Sequence, residues 1–193
     1  IALRDGTAGR WETPEQFIDS GAVRYALPDG SSFPVKGRID RIDRLQDETL
    51  LVVDYKTGGA GYNREKAKEG LFRGARLLQP AIYAAAAAQQ FRARVSRFEY
   101  RFPTLKGENQ RSVYPAQLLD RAPALILDLL RHVRTGDFVP TDDSSDCTYC
   151  DFGPICRVRE AGGWGGVSSP RAKWAERAGE FVPSLIAMAR RRQ

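Results

Sequence analysis

The chain has one histidine, one methionine and three cysteines among its 193 residues. Any metal centre that used imidazole would therefore have to use His132. No apolar run approaches the roughly 18 residues that a membrane-spanning helix needs, and "YAAAAAQQF" is far too short. No internal repeat is visible. The sequence opens with neither Met nor the charged-then-apolar pattern of a secretory signal, which reads as a soluble, cytoplasmic piece of a longer protein. What is present is an apolar content of 42%, enough for a real core, and a basic excess of 30 Lys and Arg over 24 Asp and Glu. That excess is compatible with a polyanionic partner such as nucleic acid but does not identify one.

Strand and helix signals alternate along the first two thirds of the chain. "AVRYALPDGSSFPVKGRIDRID" reads as a hairpin: a strand over 22–27, a turn at Pro28, Asp29 and Gly30, and a long second strand over about 33–44. In 49–57 the residues Leu50, Leu51, Val52 and Val53 do not alternate with polar ones, which predicts a central strand covered on both faces. Helical composition follows over 64–72 and 77–91, an alternating strand over 95–102, and a helix over 115–135 with Pro115 at its first turn and Gly136 at its stop. Residues 140–166 are rich in Cys, Gly and Asp and cannot hold a large core. The tail, 167–193, reads as two helical pieces around Pro183 with a basic end. The expected organisation is a core over 1–139, a cysteine-bearing segment over 140–166 and a helical tail over 167–193.

The stretch "LLVVDYKTGG" places chemistry at the end of the central strand. Side chains alternate along a strand, so Asp54 and Lys56 share one side and Tyr55 takes the other. A same-face ion pair is the plain reading. "VKGRIDRID" adds Asp40 and Asp43, three apart and on opposite faces of a regular strand, so only one of them can join Asp54 without a bulge. Two carboxylates from neighbouring strands, with the Tyr55 carbonyl nearby, form an all-oxygen set suited to Mg²⁺ or Mn²⁺. An ammonium beside such a set can position a water or stabilise charge on a phosphate, which points to phosphodiester hydrolysis.

"GRID", then "VVDYKTG" with 14 residues from Asp to Asp, then "QPAIY" resemble the core of the PD-(D/E)XK nucleases of the RecB-like group. "GRIDRID" is especially similar to the nuclease domain of AddB-type subunits. The resemblance implies an α/β fold with a mixed central sheet flanked by helices. It also implies a metal site of Asp40, Asp54 and the Tyr55 carbonyl, with Lys56 as the catalytic lysine. Gln79 and Tyr83, four apart on one helical face, would lie beside that site and hold the DNA strand or the lysine. Asp43 is then no ligand but a surface ion-pair partner of Arg41 or Arg44. The implied activity is Mg²⁺- or Mn²⁺-dependent cleavage of DNA, single-stranded or at ends, exonucleolytic and in company with a helicase domain or subunit. A catalytically incomplete binding module and a stand-alone nuclease of the CRISPR-adaptation type are the alternatives. The family's usual helix before the hairpin is not recognisable in "GRWETPEQFIDSG", despite Glu12 and Glu15.

Cys147, Cys150 and Cys156 stand in a C-x₂-C-x₅-C spacing that favours a metal over a disulfide. The same spacing follows the core in relatives of the resembled family that bind a 4Fe–4S cluster, although a fourth cysteine is missing here. Zinc on the three cysteines and His132, or simply reduced thiols, are the competing readings. Lys36, Arg38, Arg41, Arg97 and Arg101, with Arg73 and Arg76 upstream of the "QPAIY" helix, are candidates for sequence-independent contacts to a phosphate backbone.

Overall fold

Strand β5 (Leu50–Tyr55) is the middle of the sheet, and its first four side chains are apolar on both faces. Leu50, Leu51, Val52 and Val53 are all fully buried. At about 2 kcal/mol for each buried aliphatic side chain, they contribute on the order of 8 kcal/mol, as an upper bound. A computed structural model of the chain describes residues 10–18, 23–58, 72, 77–136 and 150–151. The chain divides into two compact units, 1–127 and 128–193, and the sheet belongs to the first.

The sheet has five strands in the order β1-β4-β5-β6-β7, where β1 is Arg10–Ile18, β4 Gly37–Arg44, β6 Val95–Phe102 and β7 Gln110–Pro115. It is mixed: β5 runs parallel to β6, and the other neighbouring pairs are antiparallel. The parallel step needs a crossover, which contains helix α1 (Gln79–Phe91). Helix α1 packs on β5 and β6. Its alanine-rich side, with Ala81, Ala84, Ala86 and Ala87 buried, brings the helix close to the large rings Phe98 and Tyr100, which are almost wholly enclosed. Phe98 meets Tyr100 edge-on at 4.9 Å between ring centres. The helix ends at Arg92, whose left-handed backbone (φ 49°) lets its N–H return to the Ala88 carbonyl.

The long strand expected over 33–44 is interrupted. Its first part, β3 (Ser32–Pro34), pairs with β2 (Arg24–Ala26) as a separate two-stranded hairpin, and β4 begins afresh at Gly37. Pro34 has no N–H to carry a ladder onward, and Val35 instead donates to the Val23 carbonyl at 3.0 Å. The hairpin turn is built by Asp29, whose Oδ1 accepts from Ser31 N at 3.0 Å, and by Gly30 with φ 81°. The helix expected over 115–135 is likewise divided, into α2 (Ala116–Leu119) and α3 (Ala122–Thr135). The segment that offered Glu12 and Glu15 is strand β1, paired with β4 across a bulge between Trp11 and Thr13. The helix expected over 64–72 lies outside the described residues apart from Phe72, which is buried and stacks on Tyr114 with ring centres 6.2 Å apart.

One face of the sheet carries a buried ion cluster. Glu99 is 1% exposed, with Arg97 Nε 2.7 Å from one carboxylate oxygen and Arg101 Nη2 2.9 Å from the other. Burial pushes the Glu99 carboxyl up, but the two arginines outweigh it and hold it below its ordinary 4.5. Its stabilising contribution is therefore present above pH 4.5 and lost as pH falls through the depressed native value. Glu99→Ala should lower stability by about 3 kcal/mol at pH 7, the cost of leaving half of a buried pair. Glu48→Gln, at an exposed pair with Arg44, should stay within about 0.5 kcal/mol. Urea unfolding of both variants checks the contrast.

Candidate active site

The register of β4 on β5 decides which aspartate can join Asp54. Arg41 stands opposite Val53 and Asp43 opposite Leu51, so those four side chains share one face. Asp40, one step beyond Arg41 on the same strand, falls on the face of Asp54 and Lys56. The ladder ends there, and the Asp40 side chain takes over: its Oδ2 accepts the Tyr55 N–H at 2.8 Å. Asp43 points the other way and pairs with Arg41 at 2.7 Å. The partner is one of the two expected, but the pair is not on the surface, since Asp43 is only 3% exposed. Arg41 encloses it while also donating to the Tyr55 hydroxyl at 3.1 Å.

Asp54 is buried, and Lys56 Nζ stands 2.6 Å from its Oδ2. This close contact is the charge partner that Oδ2 has among the described residues. The other oxygen, Oδ1, accepts from Gln79 Nε2 at 3.4 Å, and Gln79 Oε1 accepts from Lys56 at 3.4 Å. Gln79 opens α1 with Pro80 behind it, where a missing N–H costs nothing. One turn on, Tyr83 lies against β4: a Cβ added to Gly37 would meet the Tyr83 hydroxyl and ring at 3.2 Å. Tyr55, the residue between Asp54 and Lys56, turns its ring to the opposite face and engages its N–H with Asp40.

Sequence reading missed Tyr100. It stands beside Asp54 in the parallel register of β6; its hydroxyl donates to Gln79 Oε1 at 2.8 Å, and Lys56 Nζ lies 5.1 Å from the centre of its ring. In the linear sequence it is one of three aromatic residues at the inward positions of an alternating strand, and nothing separates it from an ordinary core residue. Of the basic residues expected to contact phosphates, Arg97 and Arg101 are instead held by Glu99, and Arg41 by Asp43, all on the face away from Asp54. Lys36 and Arg38 are exposed. Arg73 and Arg76 lie outside the described residues, as do Cys147 and Cys156; Cys150 is an exposed free thiol. The three cysteines of the chain fall one short of a four-thiolate cluster. His132 is buried on α3, in the second unit.

The donor set suits a hard divalent cation. Among the described residues no group of three or more His, Cys, Asp or Glu side chains gathers to hold a metal. The acidic set is the pair Asp40 and Asp54, the number that suffices for an ion keeping waters and substrate oxygens as its other ligands. Burial pushes the Asp54 carboxyl above its ordinary 3.8; Lys56 pulls it down, and the nearby Asp40 adds to the rise. An acid whose native value is raised loses stability as pH climbs from its unfolded value through the native one. In chelator, the contribution of Asp54 to stability, read as the difference between wild type and Asp54→Asn, should therefore fall as pH rises above about 4. Asp54→Asn should remove that slope and melt at or above the wild-type temperature at pH 7. A lower melting temperature would mean that Asp54 stabilises the fold.

Comparison with known proteins identifies the family. A sequence model of the PD-(D/E)XK nuclease superfamily matches residues 4–157. Over 56 residues the chain is 45% identical to a subunit of an ATP-dependent helicase/deoxyribonuclease from Clostridium perfringens strain SM101. Over 54 residues it is 39% identical to the subunit of the same name from Streptococcus agalactiae serotype Ia. Each match takes in 28% of this chain and 5% of the relative. No solved structure matches. The family match spans most of the chain and includes the mixed sheet, the two aspartates and the lysine, and the chain belongs to the PD-(D/E)XK nuclease superfamily.

Proposed function

We propose that the chain is a divalent-metal-dependent deoxyribonuclease, acting exonucleolytically on single strands or ends as the nuclease part of a helicase-nuclease. The carrying observation is the placement of Asp54 and Lys56 2.6 Å apart, with Asp40 on the same face of the adjacent strand. Asp40, Asp54 and the Tyr55 carbonyl would hold Mg²⁺ or Mn²⁺, which when bound lowers the pKa of water and offsets charge on a phosphate. Lys56 is 39% exposed at its side chain and so can reach a phosphate oxygen while its stem stays anchored beside Asp54. Its role is to orient the attacking water and to stabilise the negative charge that grows on the phosphoryl oxygens. Gln79 bridges the carboxylate and the ammonium and fixes how they stand to each other. Tyr83, one helical turn away and against Gly37 of β4, would help to hold the DNA strand. DNA as substrate and a helicase as partner are supported by the names of the relatives, of which this chain matches only a small part.

The test is incubation of the purified chain with labelled single- and double-stranded DNA in Mg²⁺, Mn²⁺ or chelator. Cleavage should require metal, and Lys56→Ala should lower its rate about a thousandfold, the scale of losing one preorganised charge-stabilising group. Asp43→Ala, which touches the other face, should cost stability but leave the rate per folded molecule within about threefold of wild type. Binding without cleavage in every metal would assign the fold to a binding module instead.

A further inference from the structure

We infer that Tyr100 is a positioning residue of this site, acting through Gln79 on Asp54 and Lys56; the inference rests on the nuclease reading above. Gln79 makes three polar contacts, and they are unequal. Those to Asp54 Oδ1 and Lys56 Nζ are both 3.4 Å, at the outer edge of hydrogen bonding, whereas that to the Tyr100 hydroxyl is 2.8 Å. The short bond fixes where the amide sits, and the other two follow from it.

The chemistry of the neighbours also sets which way round the amide lies. An ammonium can only donate and an ionised carboxylate can only accept. With Oε1 toward Lys56 and Nε2 toward Asp54, the remaining group at Oε1 must donate, which the Tyr100 hydroxyl does. A flipped amide would set Nε2 against the ammonium and Oε1 against the carboxylate, losing both contacts. Tyr100 is 1% exposed. Burial, with Asp54 nearby, pushes its hydroxyl above the ordinary tyrosine range and keeps it a donor.

The ring of the same residue has a second part. Lys56 Nζ lies 5.1 Å from its centre, within reach of a cation–π attraction. One side chain on β6 therefore holds the lysine through its face and the glutamine through its hydroxyl. Because Tyr100 stands beside Asp54 in the strand register, the frame is set by the sheet and not by a loop.

The two contributions can be separated by substitution. Tyr100→Phe keeps the ring and the packing but removes the donor; kcat for DNA cleavage should fall about three- to tenfold, the worth of one neutral hydrogen bond, with KM unchanged. In a Gln79→Ala background the same change should have no further effect on kcat, because the residue through which it acts is gone. A purely structural tyrosine would instead lower activity by the same factor in both backgrounds, together with the folded fraction read by thermal melting. That result, or a Tyr100→Phe enzyme as fast as wild type, would overturn the inference while leaving the nuclease reading intact. A wild-type chain that cuts no DNA in Mg²⁺ or Mn²⁺ would overturn both.

Discussion

A carboxylate enclosed by protein, with Lys56 as its one ammonium partner among the described residues, is the constraint around which this fold is arranged. Asp54 is shielded from bulk solvent, at 4% exposure at the end of a strand that is fully buried up to that residue. Nor is it fully neutralised, because Lys56 offers one charge contact, the Gln79 bond is long, and Asp40 adds a like charge. Burying charge in this state costs stability. The apolar length of β5 offsets that cost: four enclosed aliphatic side chains supply several kcal/mol immediately before the one residue that takes some away. The order of residues within "LLVVDYK" is thus an energetic arrangement as well as a motif.

The surroundings limit how far this buried pair can relax. Helix α1 approaches closely because its inner side is alanine, and the close approach brings Gln79 and Tyr83 to the sheet. Gly37 completes the fit at the start of β4, where a methyl group would press on the Tyr83 ring. Large side chains at Ala84 or Ala87 would lift the helix and take Gln79 away from the carboxylate, so small residues far from the chemistry determine the geometry at it.

Much of this was legible in the sequence, for identifiable reasons. The absence of alternation in 50–53 marked a strand covered on both faces, and the period-two rule placed Asp54 and Lys56 together. The same rule showed that Asp40 and Asp43 face opposite ways; the family resemblance pointed to Asp40, while the physical reason is the register, which depends on where β4 meets β5 and not on either strand alone. Strand β1 was hidden because Pro14 and a bulge sit within it, features tolerated at a sheet edge but read as breaks in a single sequence. Strand β7 was hidden because one of its inward positions is Ser112, so its alternation shows little hydrophobic contrast. Tyr100 escaped notice because its partners come from β5 and α1, and spatial neighbours on separate elements leave no local spacing to read.

Among the described residues the sheet holds three buried carboxylates, Asp43, Asp54 and Glu99, and the contrast between the two on β5 and β6 separates structure from chemistry. Glu99 lies opposite Val53, one residue from Asp54 along the ladder but on the other face. It has an arginine on each oxygen, at 2.7 and 2.9 Å, and its acidity is strengthened. Asp54 has, among the described residues, one lysine on one oxygen, a long amide bond on the other and a like-charged neighbour, and its acidity is weakened. A site whose negative charge is already matched gains little from another cation. A site whose charge is less fully matched, and which is shielded from bulk solvent, gains more. The same fold therefore uses arginine where a carboxylate is to be locked in place. Where one is to remain available to a cation and a phosphate, it uses a single half-exposed lysine, steered by glutamine and tyrosine.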